Sequence, residues 1–246
     1  MPGTCADWLP KTNAAHSKWT SDCSACAPTD LLTTMAAANN TKQKILDTAT
    51  RLFNTAGVAN VRLQHIADEA GISVGNLAYH YRNKEALVEA LFTQIEDELQ
   101  DILASYRVYP TLIDFDRQLE KYFAFGKKYP FYFSDLLQLA QDFEIVRRQQ
   151  QHYIPRMWQQ LRKRLDYNVQ RGVIRPETDP GLYDQLAESM WLIICFWPSQ
   201  CELRQRRCDS EKQFKKLVWS HWIPHFTDLG RQEYDLIIQP LITQPD

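Results

Sequence analysis

The sequence predicts an all-α protein, and three observations carry that expectation. From Thr41 onward apolar residues recur at three- and four-residue steps, the spacing that gathers side chains on one helical face. No proline occurs between Pro28 and Pro110, so nothing in that span forbids a helix. No strand-like alternation of useful length and no internal repeat is visible in the 246 residues.

Residues 1–40 show no sustained period and are expected to be an unstructured extension. Met35 precedes a short Ala/Asn lead and then the first strong helix, which makes it a candidate true start of translation. In that helix Ile45, Ala49, Leu52, Phe53 and Ala56 share a face, Thr41 is the expected N-cap, and Gly57 the left-handed residue that ends it. The stretch Leu63 to Lys84, LQHIADEAGISVGNLAYHYRNK, comes next. Leu63, Ile66, Ala67 and Ala70 form the buried face of a short helix. Gly71 supplies the positive φ of a tight turn, Ile72 plugs that turn, and Ser73 caps a second short helix that carries Leu77 inward. Helix, glycine turn, helix is helix-turn-helix geometry. A longer helix follows from Lys84 through Glu85, Leu87, Leu91, Ile95 and Leu99. Further helices follow, with breaks expected at Pro110, Pro130, Pro155, Pro176/Pro180, Pro198 and Pro224.

Composition limits the function classes. Twenty-eight basic against thirty acidic residues give a net charge of −2, which excludes coating nucleic acid by bulk charge but not a local basic face. The longest strongly apolar run, Met190 to Pro198, is about half the ~20 residues that a bilayer-spanning helix needs. With no visible secretion signal, a soluble cytoplasmic protein is expected, and its six cysteines are expected to be reduced thiols. The sequence holds no Gly-rich phosphate loop, no HExxH, no nucleophile elbow and no Rossmann fingerprint. No enzyme activity and no cofactor are expected. Cys23 and Cys26, with Cys5 and His16 nearby, have zinc-ligand residue types at irregular spacing, and His221 and His225 are separated by Pro224; no metal is assigned to either.

The ordered string ILDTATRLF…G, IADEAGIS-x-G-x-L and YHYRNKEAL resembles the tetracycline-repressor-like (TetR/AcrR) family of bacterial transcription regulators, strongly over residues 41–92. The resemblance implies a three-helix DNA-binding domain over 41–92 and a helical ligand-binding and dimerisation domain over 93–246. The implied function is a sequence-specific, ligand-responsive homodimeric repressor on a palindromic operator; the alternative is a helical small-molecule-binding protein with degenerate DNA binding. Carried over by position, Asn76 and Val74 read base edges, Asn toward adenine and Val toward a thymine methyl. Tyr79, His80 and Lys84 contact phosphate, and Gln64 contacts backbone or base. Ser73 opens the reading helix, whose N-terminal dipole can face phosphate. This chain departs from the pattern at Ala78, where Tyr is common, and at Tyr81, where Phe is common. Near Val61 and Arg62 the family often has a capping Thr or Ser; Arg62 cannot cap that way but can reach a phosphate.

Of 29 aromatic residues, 23 lie beyond residue 92, seven of them between Tyr122 and Phe133. Tyr122, Phe125 and Phe133, with Trp158 and Trp191, are candidate walls of a small-molecule pocket; an ordinary helical core explains them as well. Family position assigns dimerisation to Leu182–Trp197 and Glu211–Phe226. Residues 147–175 hold eight Arg or Lys against one acidic residue, Asp166, and read as a solvated helix face.

Overall fold

The computed structural model describes residues 29–104, 110–204 and 210–243, with side chains from residue 39 onward. The chain divides into two units, residues 1–40 and 41–246; the first helix begins in the first unit, and every later helix lies in the second. The protein is all-α; among the described residues strand pairing is limited to one isolated antiparallel bridge between Ile174 and Phe226.

Three short-range signals set the first helices. α1 (Thr29–Ala56) ends where Gly57 adopts φ 74° and donates its N–H to Phe53 O. α2 (Leu63–Ala70) ends at Gly71, φ 65°, whose N–H reaches Asp68 O. α3 (Val74–His80) begins at Ser73, whose Oγ accepts the Asn76 N–H at 3.1 Å. Ile45, Ala49, Phe53, Ile66, Ala67, Ala70 and Leu77 are buried together with Leu87 and Val88 of α4 (Lys84–Ala104). The start of α1 corrects one expectation. Met35 and Thr41 both lie inside the helix, so Thr41 is not its N-cap. The Leu, Met and Ala of LLTTMAAANN are strong helix formers that carry the helix upstream.

Behind these lie α5 (Leu112–Lys128), α6 (Pro130–Ser134), α7 (Leu136–Asp142), α8 (Glu144–Gln170), α9 (Leu182–Leu203), α10 (Glu211–Trp222), α11 (Asp228–Glu233) and α12 (Gln239–Thr243). α8 packs against α4, α7 and α9, while α10 packs against α5, α9 and α12. Two of the expected proline breaks do not occur, because Pro155 lies inside α8 and Pro198 inside α9. Each proline removes one helical hydrogen bond, but Tyr153 and Met157, buried on either side of Pro155, anchor the helix through tertiary packing. Pro130 opens α6 at its first turn, where its missing N–H costs nothing.

The basic stretch of α8 is not simply a solvated face. Arg164 is 1% exposed and donates to Thr111 O at 3.2 Å and Gln118 Oε1 at 3.0 Å. Gln118 in turn donates to Ile102 O and Gln160 Oε1, which ties α4, α5 and α8 into one buried network. Cys201 is disulfide-bonded, which corrects the expectation of reduced thiols throughout; Cys195 is a free thiol that burial pushes to higher pKa. Cys5, His16, Cys23 and Cys26 lie outside the described residues. No helix among the described residues is long and apolar enough to cross a membrane.

Candidate nucleic-acid interface

The turn between α2 and α3 is closed by backbone, with the Ile72 N–H on Ala67 O at 3.0 Å. Ile72 packs against the core and Leu77 is fully buried. That leaves the rest of α3 turned outward. Val74 is 37% exposed, Tyr79 83% exposed, and Ser73, Gly75, Asn76 and Ala78 are exposed as well. An exposed tyrosine on a seven-residue helix buries almost no apolar surface of its own, so packing does not account for it.

The remaining expected contacts are more constrained. Arg62 holds the N-cap position of α2 in extended conformation with no side-chain cap; instead its N–H donates to His65 Nδ1 at 3.3 Å. Its guanidinium is therefore not used in capping. Gln64 spends an amide N–H on Asp68 Oδ1 at 2.7 Å, one helical turn on, which leaves its carbonyl free to accept. His80 is half-buried against Tyr79, ring centroids 5.2 Å apart, and its Nδ1 is buried with no hydrogen-bond partner among the described residues. Only its other ring nitrogen is available to an outside group. Lys84 has internal partners: its ammonium donates to Val58 O at 2.5 Å and lies 3.5 Å from Ala59 O. Burial lowers its pKa, with Glu85 and Asp142 opposing that shift. The carbonyls beyond α1, rather than an external anion, account for a cation at this helix start.

The five candidate pocket residues do not converge. Tyr122 lines a cavity of about 310 Å³ between α5, α6, α9 and α10. Phe133 lines a groove of about 550 Å³ along α9, and Trp158 a cleft of about 370 Å³ beside Arg162 and Asp184. Phe125 and Trp191 are core, Phe125 packed on Tyr129 at 5.0 Å and Trp191 on Tyr153 at 5.6 Å. An aromatic side chain at helical spacing serves core and cavity alike, so residue type alone does not separate these places. The residues that reasoning from sequence passed over are Gly126 and Phe214, which share the Tyr122 cavity with Trp197. A glycine inside an aromatic helical run was the available signal for the first.

A second feature absent from the sequence reading is the seam between α1 and the body. Asn54 Nδ2 donates to Lys128 O at 3.0 Å, and Asn54 Oδ1 accepts the Phe131 N–H at 3.4 Å. Phe53 meets the Phe131 ring at 5.6 Å. One asparagine thus uses both ends of its amide on the α5–α6 corner.

Residues 45–91 match the family model for bacterial regulatory proteins of the tetR family, and residues 85–234 match that for a bacterial transcriptional repressor of the same kind. The chain belongs to the tetR family. Among curated tetR-family relatives, it is 32% identical over 74 residues to the HTH-type regulator AcrR of Shigella flexneri, which is 30% of this chain and 34% of that one. It is 38% identical over 71 residues to TtgR of Pseudomonas putida, 29% of this chain and 33% of the other. The chain thus spans about a third of the length of these relatives. Among solved structures, a TetR-family regulator from Marinobacter aquaeolei superposes with a TM-score of 0.73 at 26% identity, covering 82% of this chain and 98% of the other. A TetR regulator from Haloarcula marismortui shares the fold at a TM-score of 0.62 and 14% identity, covering 77% and 100%.

Proposed function

We propose that this protein is a sequence-specific, DNA-binding transcription regulator that acts as a homodimer and responds to a small-molecule effector. The exposed face of α3 carries this reading: a helix short and rigidly capped, seated on a buried Leu77, with Asn76 and Tyr79 facing solvent. Such a helix fits the major groove, and a two-fold dimer requires a palindromic site. Val74 and Asn76 read base edges; Arg62, Tyr79 and the free nitrogen of His80 hold phosphate; Gln64 offers its carbonyl to a base amino group. Lys84 supports the turn that presents α2, so its role in DNA binding is positioning rather than direct phosphate contact.

The second copy is placed on α9 and α10. Leu192 and Phe196 of α9 remain 60% and 54% exposed, a cost that a single chain would not be expected to carry on a helix otherwise built into the core. The effector is placed in the helical body, where the cavities lie.

The test is a salt-titrated binding assay on the DNA flanking the protein's own gene, against scrambled DNA. Selective binding to one palindrome that weakens steeply with salt is expected. Asn76→Ala should relax specificity at one base pair per half-site and cost about 1–3 kcal/mol there. Sequence-independent binding, or equal losses on every sequence from Asn76→Ala, would overturn the assignment and favour a small-molecule-binding protein with a degenerate reading head.

A further inference from the structure

We propose that Asn54 and Asp135 are specificity residues for the operator although neither meets DNA: together they fix the angle of the helix-turn-helix on the helical body, and so the half-site spacing that a two-fold dimer accepts. The proposal rests on the DNA-binding dimer read above and adds what sets its spacing.

Each of these residues spends its polar group away from its own helix. Asn54 belongs to the last turn of α1, yet its amide serves two helix ends elsewhere. Its Nδ2 donates to the O of Lys128, the last residue of α5, at 3.0 Å, and its Oδ1 accepts the N–H of Phe131, in the first turn of α6, at 3.4 Å. Both are groups that a helix terminus leaves without an intrahelical partner, and α6 has no side-chain cap of its own. Asp135 stands at the N-cap of α7, where an aspartate ordinarily accepts an N–H from the first turn of the helix it opens. It makes no such cap. Its Oδ2 instead accepts the Val58 N–H at 3.4 Å, 77 residues away. Lys84, a cation in the first turn of α4 where the helix dipole disfavours it, holds Val58 O. Val58 is thus gripped at both backbone groups, and the chain from Val58 to Arg62 leads directly into α2.

Attachment and orientation have different sources. α4 runs unbroken from the head into the body, where it packs on α8, and a single helix does not fix rotation about its own axis. Phe53 and Phe92 meet Phe131 at ring-centroid distances of 5.6 and 6.3 Å. Such apolar contact draws the head onto the body but is non-directional. The bonds of Asn54 and Asp135 are directional and are made outside α4, so they oppose rotation. One base pair added or removed between half-sites turns one reading helix by about 35° and shifts it by about 3.4 Å relative to the other. To follow, a head must break these bonds.

The test measures binding of the full-length protein to the palindrome found in the flanking-DNA assay and to two versions whose centre is one base pair longer or shorter. The wild type should prefer the native spacing by about tenfold or more. Asn54→Ala and Asp135→Ala should leave affinity for the native spacing within about twofold, because there the lost bond is present both free and bound. Each should raise affinity for the altered spacings by about threefold or more, since a hydrogen bond no longer has to be broken. Asp135→Asn keeps an acceptor for the Val58 N–H and should behave as the wild type. Damage to the fold lowers affinity at every spacing, so a gain at altered spacings is a readout that a merely structural role does not produce. If one alanine variant does not fold by circular dichroism, the other carries the test. A folded alanine variant that loses affinity equally at all three spacings, an unchanged preference in both, or a lost preference in Asp135→Asn overturns the assignment. Equal binding of all three spacings by the wild type also overturns it and leaves the regulator reading standing. No preference for any palindrome at any salt overturns the regulator reading and this assignment with it.

Discussion

In the helix-turn-helix, the polar residues Ser73 and Asn76 sit at the surface on a scaffold of small apolar contacts; in the helical body, Asp116, Arg164, Asn168 and Lys215 are 2% exposed or less. The head keeps its hydrogen-bonding groups available to a partner. The body turns charges inward and consumes them on its own helices. Lys215 reaches Asp116 at 2.9 Å, Glu120 at 2.8 Å and Glu211 at 2.9 Å, and Trp219 Nε1 donates to Asp116 Oδ1 at 3.0 Å. Together these join α5 to α10 across the centre of the body. A buried ion pair is weak evidence for high stability, because desolvation offsets its attraction. What it adds is register: only one alignment of α5 and α10 gives every member its partner. The same helices carry Tyr122, Phe123 and Phe214 of the cavity, so that register also fixes the cavity's shape.

The strongest way to break this contrast is to orphan a buried charge. Lys215→Met leaves the Asp116 carboxylate buried beside a single indole donor and should cost about 3–5 kcal/mol in urea unfolding. The double variant Lys215→Met/Asp116→Leu should recover part of that loss, since no unpaired charge remains. Continued loss in the double variant would mean that the pair contributes through packing alone. The pair also sets an alkaline limit. Burial disfavours the Lys215 ammonium, yet the hydrogen bonds it donates to Glu120, Glu211 and Asp116 outweigh burial and raise its pKa above the ordinary lysine value. Its contribution is therefore complete below that ordinary value and lost as pH rises through the elevated one.

A smaller effect is expected in the head, where a single cap does comparable positional work. Ser73→Ala removes the acceptor for the Asn76 N–H and should cost about 1 kcal/mol of stability. Its effect on DNA should be larger than on melting, because the first turn of α3 presents both Val74 and Asn76. Equal losses of stability and affinity would show that the cap only holds the fold.

These same residues explain how far the sequence could be read. Gly57, Gly71 and Ser73 act on their nearest neighbours, through backbone angles and caps, so the head's helices and their faces were legible. The body depends on partners far apart in the chain: Asp116 and Lys215 are 99 residues apart, Asn54 and Lys128 74. No local pattern encodes such a meeting. The aromatic run from Tyr122 to Phe133 was visible as a run, but whether each ring faces core, cavity or groove depends on how α5 packs against α9 and α10. Pro155 and Pro198 misled for a related reason, since long-range packing outweighed a local breaker. Among the expected DNA contacts, Lys84 illustrates the limit best, because its backbone partner Val58 lies 26 residues upstream.

The least costly change sharpens the contrast between the two regions. The head has its own ion pair, Arg51 to Glu69 at 3.0 Å, which joins α1 to α2 with side chains 62% and 49% exposed. Solvent and salt screen such a pair, and holding two long side chains in one geometry costs entropy. Glu69→Gln should therefore shift unfolding by no more than about 0.5 kcal/mol, and the shift should vanish in 1 M salt. Its geometry is nearly that of Lys215 with Asp116, 3.0 against 2.9 Å, so separation cannot explain a difference between the two variants. A loss from Glu69→Gln as large as that from Lys215→Met would mean that burial does not set the strength of ion pairs here. A loss several-fold smaller would assign the difference to solvent, the variable that also leaves α3 free to meet DNA.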